Sequence, residues 1–212
     1  WSPEQIVGHY RDIGEEMVCH KTIYRKIRSG ELFNGDLSFL RRKGRAYKRR
    51  TDVNRMKGGK SIHDRPKEAD ERCRVGDWEL DTVVGKKGTK SCLLTIVDRK
   101  SRYLLATLLP DRTAKRVSEA IRSLLEDKVV HTLTADNGKE FSNYQYVEDK
   151  LNADVFFADP YASWQRGTNE NTNGLLREYV PKGIDIGEFT ESQIQEFVSK
   201  INTRPRKVLG YK

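Results

Sequence analysis

The chain has 212 residues, 36 % of them hydrophobic and 33 % charged, enough for one full domain and a small appendage under a heavily charged surface. No apolar run approaches the ~20 residues a membrane-spanning helix needs, and three scattered cysteines (Cys19, Cys73, Cys92) make neither a disulfide framework nor a C-x-x-C zinc pair. The net charge is +9, and the chain opens at Trp1 without a basic-then-apolar leader, so a fragment in a reducing, cytoplasmic setting is expected.

Residues 1–33 read as two short helices. Ser2, Pro3 and Gln5 make an S-x-x-Q capping box with proline at the first helical position, followed by Ile6, Val7 and Tyr10 on one face. After a turn near Gly14, a second helix spans His20 to Ser29, with Ile23, Tyr24 and Ile27 inward and Lys21, Arg25, Lys26 and Arg28 outward. Two readings stand: a helix-turn-helix whose basic second helix enters a DNA groove, or a helical hairpin with a solvated basic face.

Residues 34–74 read as a basic linker. Between Arg41 and Lys60 there are ten basic residues and one acid, a local net charge of +9, so the rest of the chain sums to zero. Such a stretch has too few apolar side chains to bury itself. It is either a solvated linker without a partner or a segment that tracks a nucleic-acid backbone and releases counterions. Arg41, Arg42, Lys43, Arg49 and Arg50 are its candidate phosphate contacts.

From residue 75 the composition changes. Strands are expected over 76–84, 92–97 and 103–109, joined by short connections as an antiparallel meander. Thr113 then caps a helix striped by Val117, Ala120, Ile121, Leu124 and Leu125. A strand at 131–135, a helix at 143–151, a strand at 153–157 and helices from about Gln165 and from 191 to 201 complete the order. The sequence β-β-β-α-β-α-β-α describes an α/β domain over 75–212 with a mixed five-stranded sheet and flanking helices.

Three acidic motifs fall near expected strand ends and helix starts. In D-W-E-L-D, period two puts Asp77, Glu79 and Asp81 on one strand face, a repulsive arrangement that a buried or ligating role would explain. In T-A-D-N-G-K-E-F, Asp136 ends a strand before an Asn-Gly turn, where it serves either the turn or a ligand. Glu170 lies inside W-Q-R-G-T-N-E-N-T-N-G-L-L-R as a solvated helix residue or a ligand. Asp98 reads as part of an ordinary hairpin connection. Clustered carboxylates call for a cation, and an oxygen-only set selects Mg²⁺ or Mn²⁺. Two such ions about 3.5–4 Å apart promote in-line phosphoryl transfer. The four histidines make no ligand pair and read as structural or surface residues.

W-x-x-D, T-x-D-N-G-x-E-F and a glutamate helix together resemble the acidic-triad transposases and retroviral-type integrases. More narrowly, G-D-W-E-L-D, the stretch from Ala158 to Gly183 and N-T-R-P-R-K-V-L-G-Y-K resemble the IS-thirty family of bacterial insertion-sequence transposases. The W-S-P-E-Q-I start and H-K-T-I-Y-R-K-I are similar to that family's DNA-binding region. Leu80 departs from it, standing where relatives often have glycine.

The resemblance implies a ribonuclease H-like core and a metal-binding triad of Asp81, Asp136 and Glu170, separated by 55 and 34 positions. Asp77 and Glu79 compete for the first place; Asp81 matches the family's aspartate three residues after the tryptophan. The implied activity is cleavage at inverted-repeat ends of the element and joining of the 3′-hydroxyl to target DNA, carried out by multimers in the bacterial cytoplasm at the nucleoid. It also implies sequence beyond both ends of this chain. A related integrase, a metal-dependent nuclease or a catalytically silent DNA-binding derivative are the alternatives. Arg166 and Asn173, at i−4 and i+3 from Glu170, are expected to share its groove-facing side and contact DNA. Arg177 farther along contacts phosphate, or pairs near Glu178, or is solvated. Trp164 either packs beneath the helix, the expected outcome, or stacks on a base.

Overall fold

A computed structural model describes residues 1–40, 58–160 and 162–211. The chain divides into two compact units, Trp1–Arg50 with Thr203–Lys212, and Thr51–Asn202.

The first unit holds α1 (Pro3–Asp12) and α2 (His20–Arg28). The capping box forms as read: Ser2 Oγ accepts from the Gln5 amide at 3.3 Å, and Gln5 Oε1 accepts from the Ser2 amide at 2.9 Å. Pro3, Val7 and Gly8 are the buried face of α1, whereas Tyr10 is exposed. Tyr211 explains the shift of that face toward Gly8. A side chain on Gly8 would meet the Tyr211 ring at 2.2 Å, so the ring packs where only glycine leaves room. On α2, Ile27 is buried and Lys21, Arg25 and Arg28 are exposed. The backbone N–H groups of Lys21 and Thr22 at the start of α2 hold the exposed Cys19 thiol below its ordinary range.

The second unit is built on one six-stranded sheet. Its strands are β1 (Lys60–Ser61), β2 (Asp77–Val84), β3 (Cys92–Asp98), β4 (Leu104–Leu109), β5 (Thr132–Ala135) and β6 (Asp154–Phe157). Their order is β1-β6-β5-β2-β3-β4, with β2-β3 and β3-β4 antiparallel and the remaining pairs parallel. The five strands expected from the sequence are all present, and their order and directions are those of a ribonuclease H-like sheet. The sixth is β1, which has only two residues and no periodicity to read; it exists because Lys60 and Ser61 pair with Phe156 and Phe157. After it come a 3₁₀ turn (Ile62–Asp64) and the short α3 (Lys67–Glu71), which bury Ile62 and Ala69.

Alternation sorts the sheet's side chains into two cores. Trp78, Leu80, Cys92, Leu94 and Ile96 pack with Val117, Ile121 and Leu125 of α4 (Ala114–Leu125) and Val147 of α5 (Tyr144–Leu151). On the other face Val83, Leu93 and Val97 pack with Leu176 of α6 (Gly167–Leu176) and Ile194, Val198 and Ile201 of α7 (Glu191–Asn202). Every residue of β3 is buried, which is why that strand is mostly apolar on both faces rather than alternating. Thr113 occupies the N-cap of α4, but its side chain makes no capping bond.

Burial pushes the Cys92 thiol up to about 11. Thiol labelling of the folded protein at pH 8 is therefore expected to modify Cys19 and Cys73 and spare Cys92. Mass spectrometry after proteolysis checks this, and early labelling of Cys92 would contradict the buried β3.

Candidate active site

The three carboxylates on one face of β2 survive because each has its own guanidinium. Asp77, fully buried, takes Arg74 at 2.9 Å and the Thr132 hydroxyl at 2.8 Å. Glu79, also fully buried, takes Arg99 at 2.5 Å. Asp81, near the open end of the strand with 26 % of its side chain exposed, takes Arg166 at 3.3 Å. Asp77 and Glu79 are thus committed inside the fold, which leaves Asp81 as the acid of this strand that reaches a surface.

Asp136 lies beside it by register. The parallel pairs Asp77↔Thr132 and Glu79↔Thr134, carried two residues further, bring Asp81 level with Asp136 just past the end of β5. Arg166 bridges the two, its Nη2 donating to Asp136 Oδ2 at 3.0 Å and its Nη1 to the Leu80 carbonyl at 3.1 Å. Burial lowers the affinity of this guanidinium for its proton, but Asp81 and Asp136 outweigh burial and hold its pKa above the ordinary value. Burial pushes the Asp81 carboxyl up; Arg166 opposes that rise and Asp136 adds to it. The pair is a concentrated negative site held together by one cation.

The Asn-Gly turn shapes Asp136. Its Oδ1 accepts the Gly138 amide at 2.9 Å, and a Cβ on Gly138 would sit 2.8 Å from that oxygen and 2.6 Å from Glu140 Oε2. Only glycine lets the two carboxylates approach this turn together. Glu140 is the acid that the sequence reading passed over: it accepts from the Thr82 hydroxyl at 2.8 Å and lies 3.7 Å from Arg112. Its signal was its place four residues after Asp136 in the same motif.

Glu170 is exposed on α6 and makes no hydrogen bond or ion pair among the described residues. Its expected neighbours do turn toward the acids: Arg166 as above, and Asn173, whose Nδ2 donates to Asp81 Oδ2 at 2.8 Å. The structure therefore brings Asp81, Asp136, Arg166 and Asn173 together, with Glu170 on α6 between Arg166, at the helix's N-cap, and Asn173. Among the described residues no three His, Cys, Asp or Glu side chains converge as a metal cluster. Arg177 donates to the Val84 carbonyl at 2.7 Å and, weakly, to that of Val180 at 3.5 Å.

Trp164 corrects the expectation of packing. It is 73 % exposed, because Ala162 fills the buried position of this turn while Gln165 and Arg166 are drawn to Asp159 and the acid pair. Asp98 is fully buried and accepts from the Gly76 amide and from both the amide and the hydroxyl of Ser101, a turn-forming role. Arg41, Arg42, Lys43, Arg49 and Arg50 lie outside the described residues.

Residues 72–163 match the family model of the integrase core domain. Over its whole length the chain is 44 % identical to the transposase for insertion sequence element IS4351 of Bacteroides fragilis, covering 67 % of that protein. It is 35 % identical, again over its whole length, to transposase InsI for IS30A of Escherichia coli K12, covering 59 % of it. Among solved structures, the catalytic core domain of BIV integrase aligns with a TM-score of 0.45 at 20 % identity, over 58 % of this chain and 81 % of that one.

Proposed function

Because the chain belongs to the IS-thirty (IS30) family of insertion-sequence transposases, we propose that its second unit cuts DNA at the ends of such an element and joins the freed 3′-hydroxyl to target DNA. The observation that carries this is the convergence of Asp81 and Asp136, from adjacent parallel strands, on a single cation.

The donor set fits a hard divalent ion. Two carboxylates already share a positive charge, and Asn173 Oδ1 is buried without a hydrogen-bond partner among the described residues. Asp81 and Asp136 would hold Mg²⁺ or Mn²⁺, with Glu170 joining them from α6. Such an ion supplies Lewis-acid charge stabilisation and activates water or a 3′-hydroxyl for in-line attack on phosphorus. The chain's own groups do the rest. Asn173 orients the Asp81 carboxylate, and the Gly138 amide orients that of Asp136. Arg166 offers a guanidinium that pairs with the scissile phosphate once freed from the carboxylates. Arg177, tied to backbone carbonyls, supports the end of α6 beside β2 rather than reaching toward DNA.

Lys21, Arg25 and Arg28 on α2 serve as the groove-facing residues of a helix-turn-helix-like segment, and the basic stretch with Arg41, Arg42, Lys43, Arg49 and Arg50 follows the phosphate backbone. Paired element ends call for more than one copy of the chain. The chain spans 59–67 % of the length of the two transposases compared above.

The test is cleavage and strand transfer on a labelled inverted-repeat duplex with Mn²⁺ or Mg²⁺. Metal-dependent nicking at the repeat end, followed by joining to a second duplex, is the expected result. Tight binding of the duplex with no cutting at any metal concentration would favour the silent DNA-binding derivative instead.

A further inference from the structure

Glu79 is two residues from Asp81 on the same strand face, yet it is fully buried and faces a helix instead of solvent. Its Oε2 accepts the backbone amide of Asn169 at 2.8 Å, in the first turn of α6. Asn169, itself fully buried, answers with its side chain: Nδ2 donates to the Glu79 carbonyl at 3.1 Å, and Oδ1 accepts from the Thr95 hydroxyl of β3 at 3.3 Å. Arg99 neutralises Glu79 and donates through Nε to the Ala69 carbonyl at 2.8 Å. One residue earlier, the Thr168 hydroxyl accepts from Arg102 at 2.6 Å.

A single hydrogen bond tethers a helix; two bonds from one residue to both the side chain and the backbone of a strand also fix its rotation. That rotation matters here because Asn169 immediately precedes Glu170. On a helix about 10–12 Å across, a rotation of about 10° carries a side-chain tip about 1 Å. A displacement of that size is enough to spoil a reacting geometry. Stability alone does not account for the arrangement, since a buried ion pair is commonly no better than apolar groups of similar volume. Directional bonds provide what apolar packing cannot, a defined azimuth.

We infer that Glu79, Asn169 and Arg99 form a positioning clamp that sets the rotation of α6 on β2 and so places Glu170 relative to Asp81. The clamp rests on the reading of Asp81, Asp136 and Glu170 as a metal-binding set. Glu79 is in this account a positioning residue, which removes it as a competitor of Asp81 for the ion.

Mn²⁺ binding to the protein–DNA complex, followed by electron paramagnetic resonance, tests it without recourse to turnover. Asn169→Ala is expected to weaken Mn²⁺ binding about tenfold or more, the scale seen when a partner behind a metal ligand is lost, with DNA affinity unchanged. Val198→Ala, which trims the core under α7, supplies a control destabilised without touching the clamp. Glu79→Gln, which keeps an oxygen for the Asn169 amide, should weaken Mn²⁺ binding less than Asn169→Ala. The clamp is overturned if Asn169→Ala binds Mn²⁺ like the parent, or if Val198→Ala weakens binding equally. A parent complex that takes up no Mn²⁺ overturns the metal reading along with it, whereas loss confined to Asn169→Ala and Glu79→Gln supports both.

Discussion

Asp81→Asn and Asp136→Asn are each expected to lower strand cleavage on the order of 10³-fold, the upper end of what removing one group from a charge-stabilising site costs. DNA binding and folding should remain. Asparagine at position 81 keeps the side chain's shape and one acceptor oxygen, enough for either the Thr82 amide at 2.9 Å or the Asn173 side chain at 2.8 Å, which the carboxylate meets with separate oxygens. Asparagine at 136 likewise still accepts the Gly138 amide. What disappears is the negative charge a divalent ion needs. Asp77→Asn is the informative contrast on the same strand face. It is fully buried against Arg74 and Thr132, so its loss should cost about 1–3 kcal/mol of stability while leaving metal-dependent cutting in place. Denaturant melts run beside the cleavage assay separate the two behaviours. Cutting that survives Asp81→Asn would move the first acid of the site elsewhere.

Arg166→Gln is expected to tighten Mn²⁺ binding to the DNA-free protein about tenfold. The guanidinium holds Asp81 at 3.3 Å and Asp136 at 3.0 Å, so an ion entering between these carboxylates must displace it. Hydrogen bonds to charged groups are worth about 1.5–3 kcal/mol each, and one such contribution relieved is roughly a factor of ten in affinity. A tenfold gain in affinity corresponds to about 1.4 kcal/mol of extra stabilisation at saturating metal. For a unit of this size that is an additional rise in melting midpoint of roughly 3–6 °C over the parent's response. Calorimetric titration and thermal melts with and without Mn²⁺ measure both. Weaker Mn²⁺ binding in Arg166→Gln would mean that the arginine supports the carboxylates' ligating geometry and does not compete for it. In the presence of DNA the same variant should bind the duplex less tightly, because the scissile phosphate then has no guanidinium to meet.

The secondary structure was legible because its signals are local. The S-x-x-Q start of α1, the apolar run of β3 and the helical stripe of α4 each lie within a dozen residues, and each element formed where the pattern placed it. The elements that escaped notice lack such a pattern. A two-residue strand such as β1 has no period, and the exposure of Trp164 follows from neighbours drawn to Asp159 and to the acid pair. Asn169 looked like one polar residue among several in T-N-E-N-T-N until the fold set it against Glu79.

The choice among Asp77, Glu79 and Asp81 marks the division most clearly. Alternation along a strand puts all three on one face, and by itself that pattern determined that something must offset three like charges, along with the α/β order and the basic stretch of the chain. Which acid stays open to a ligand was decided by partners that fold back from residues 74, 99 and 166. Burial and guanidinium pairing are long-range properties: they depend on which distant segment lands beside a carboxylate. The level placement of Asp81 with Asp136 came likewise from the register of two parallel strands 55 residues apart in sequence, and only the assembled sheet sets that register.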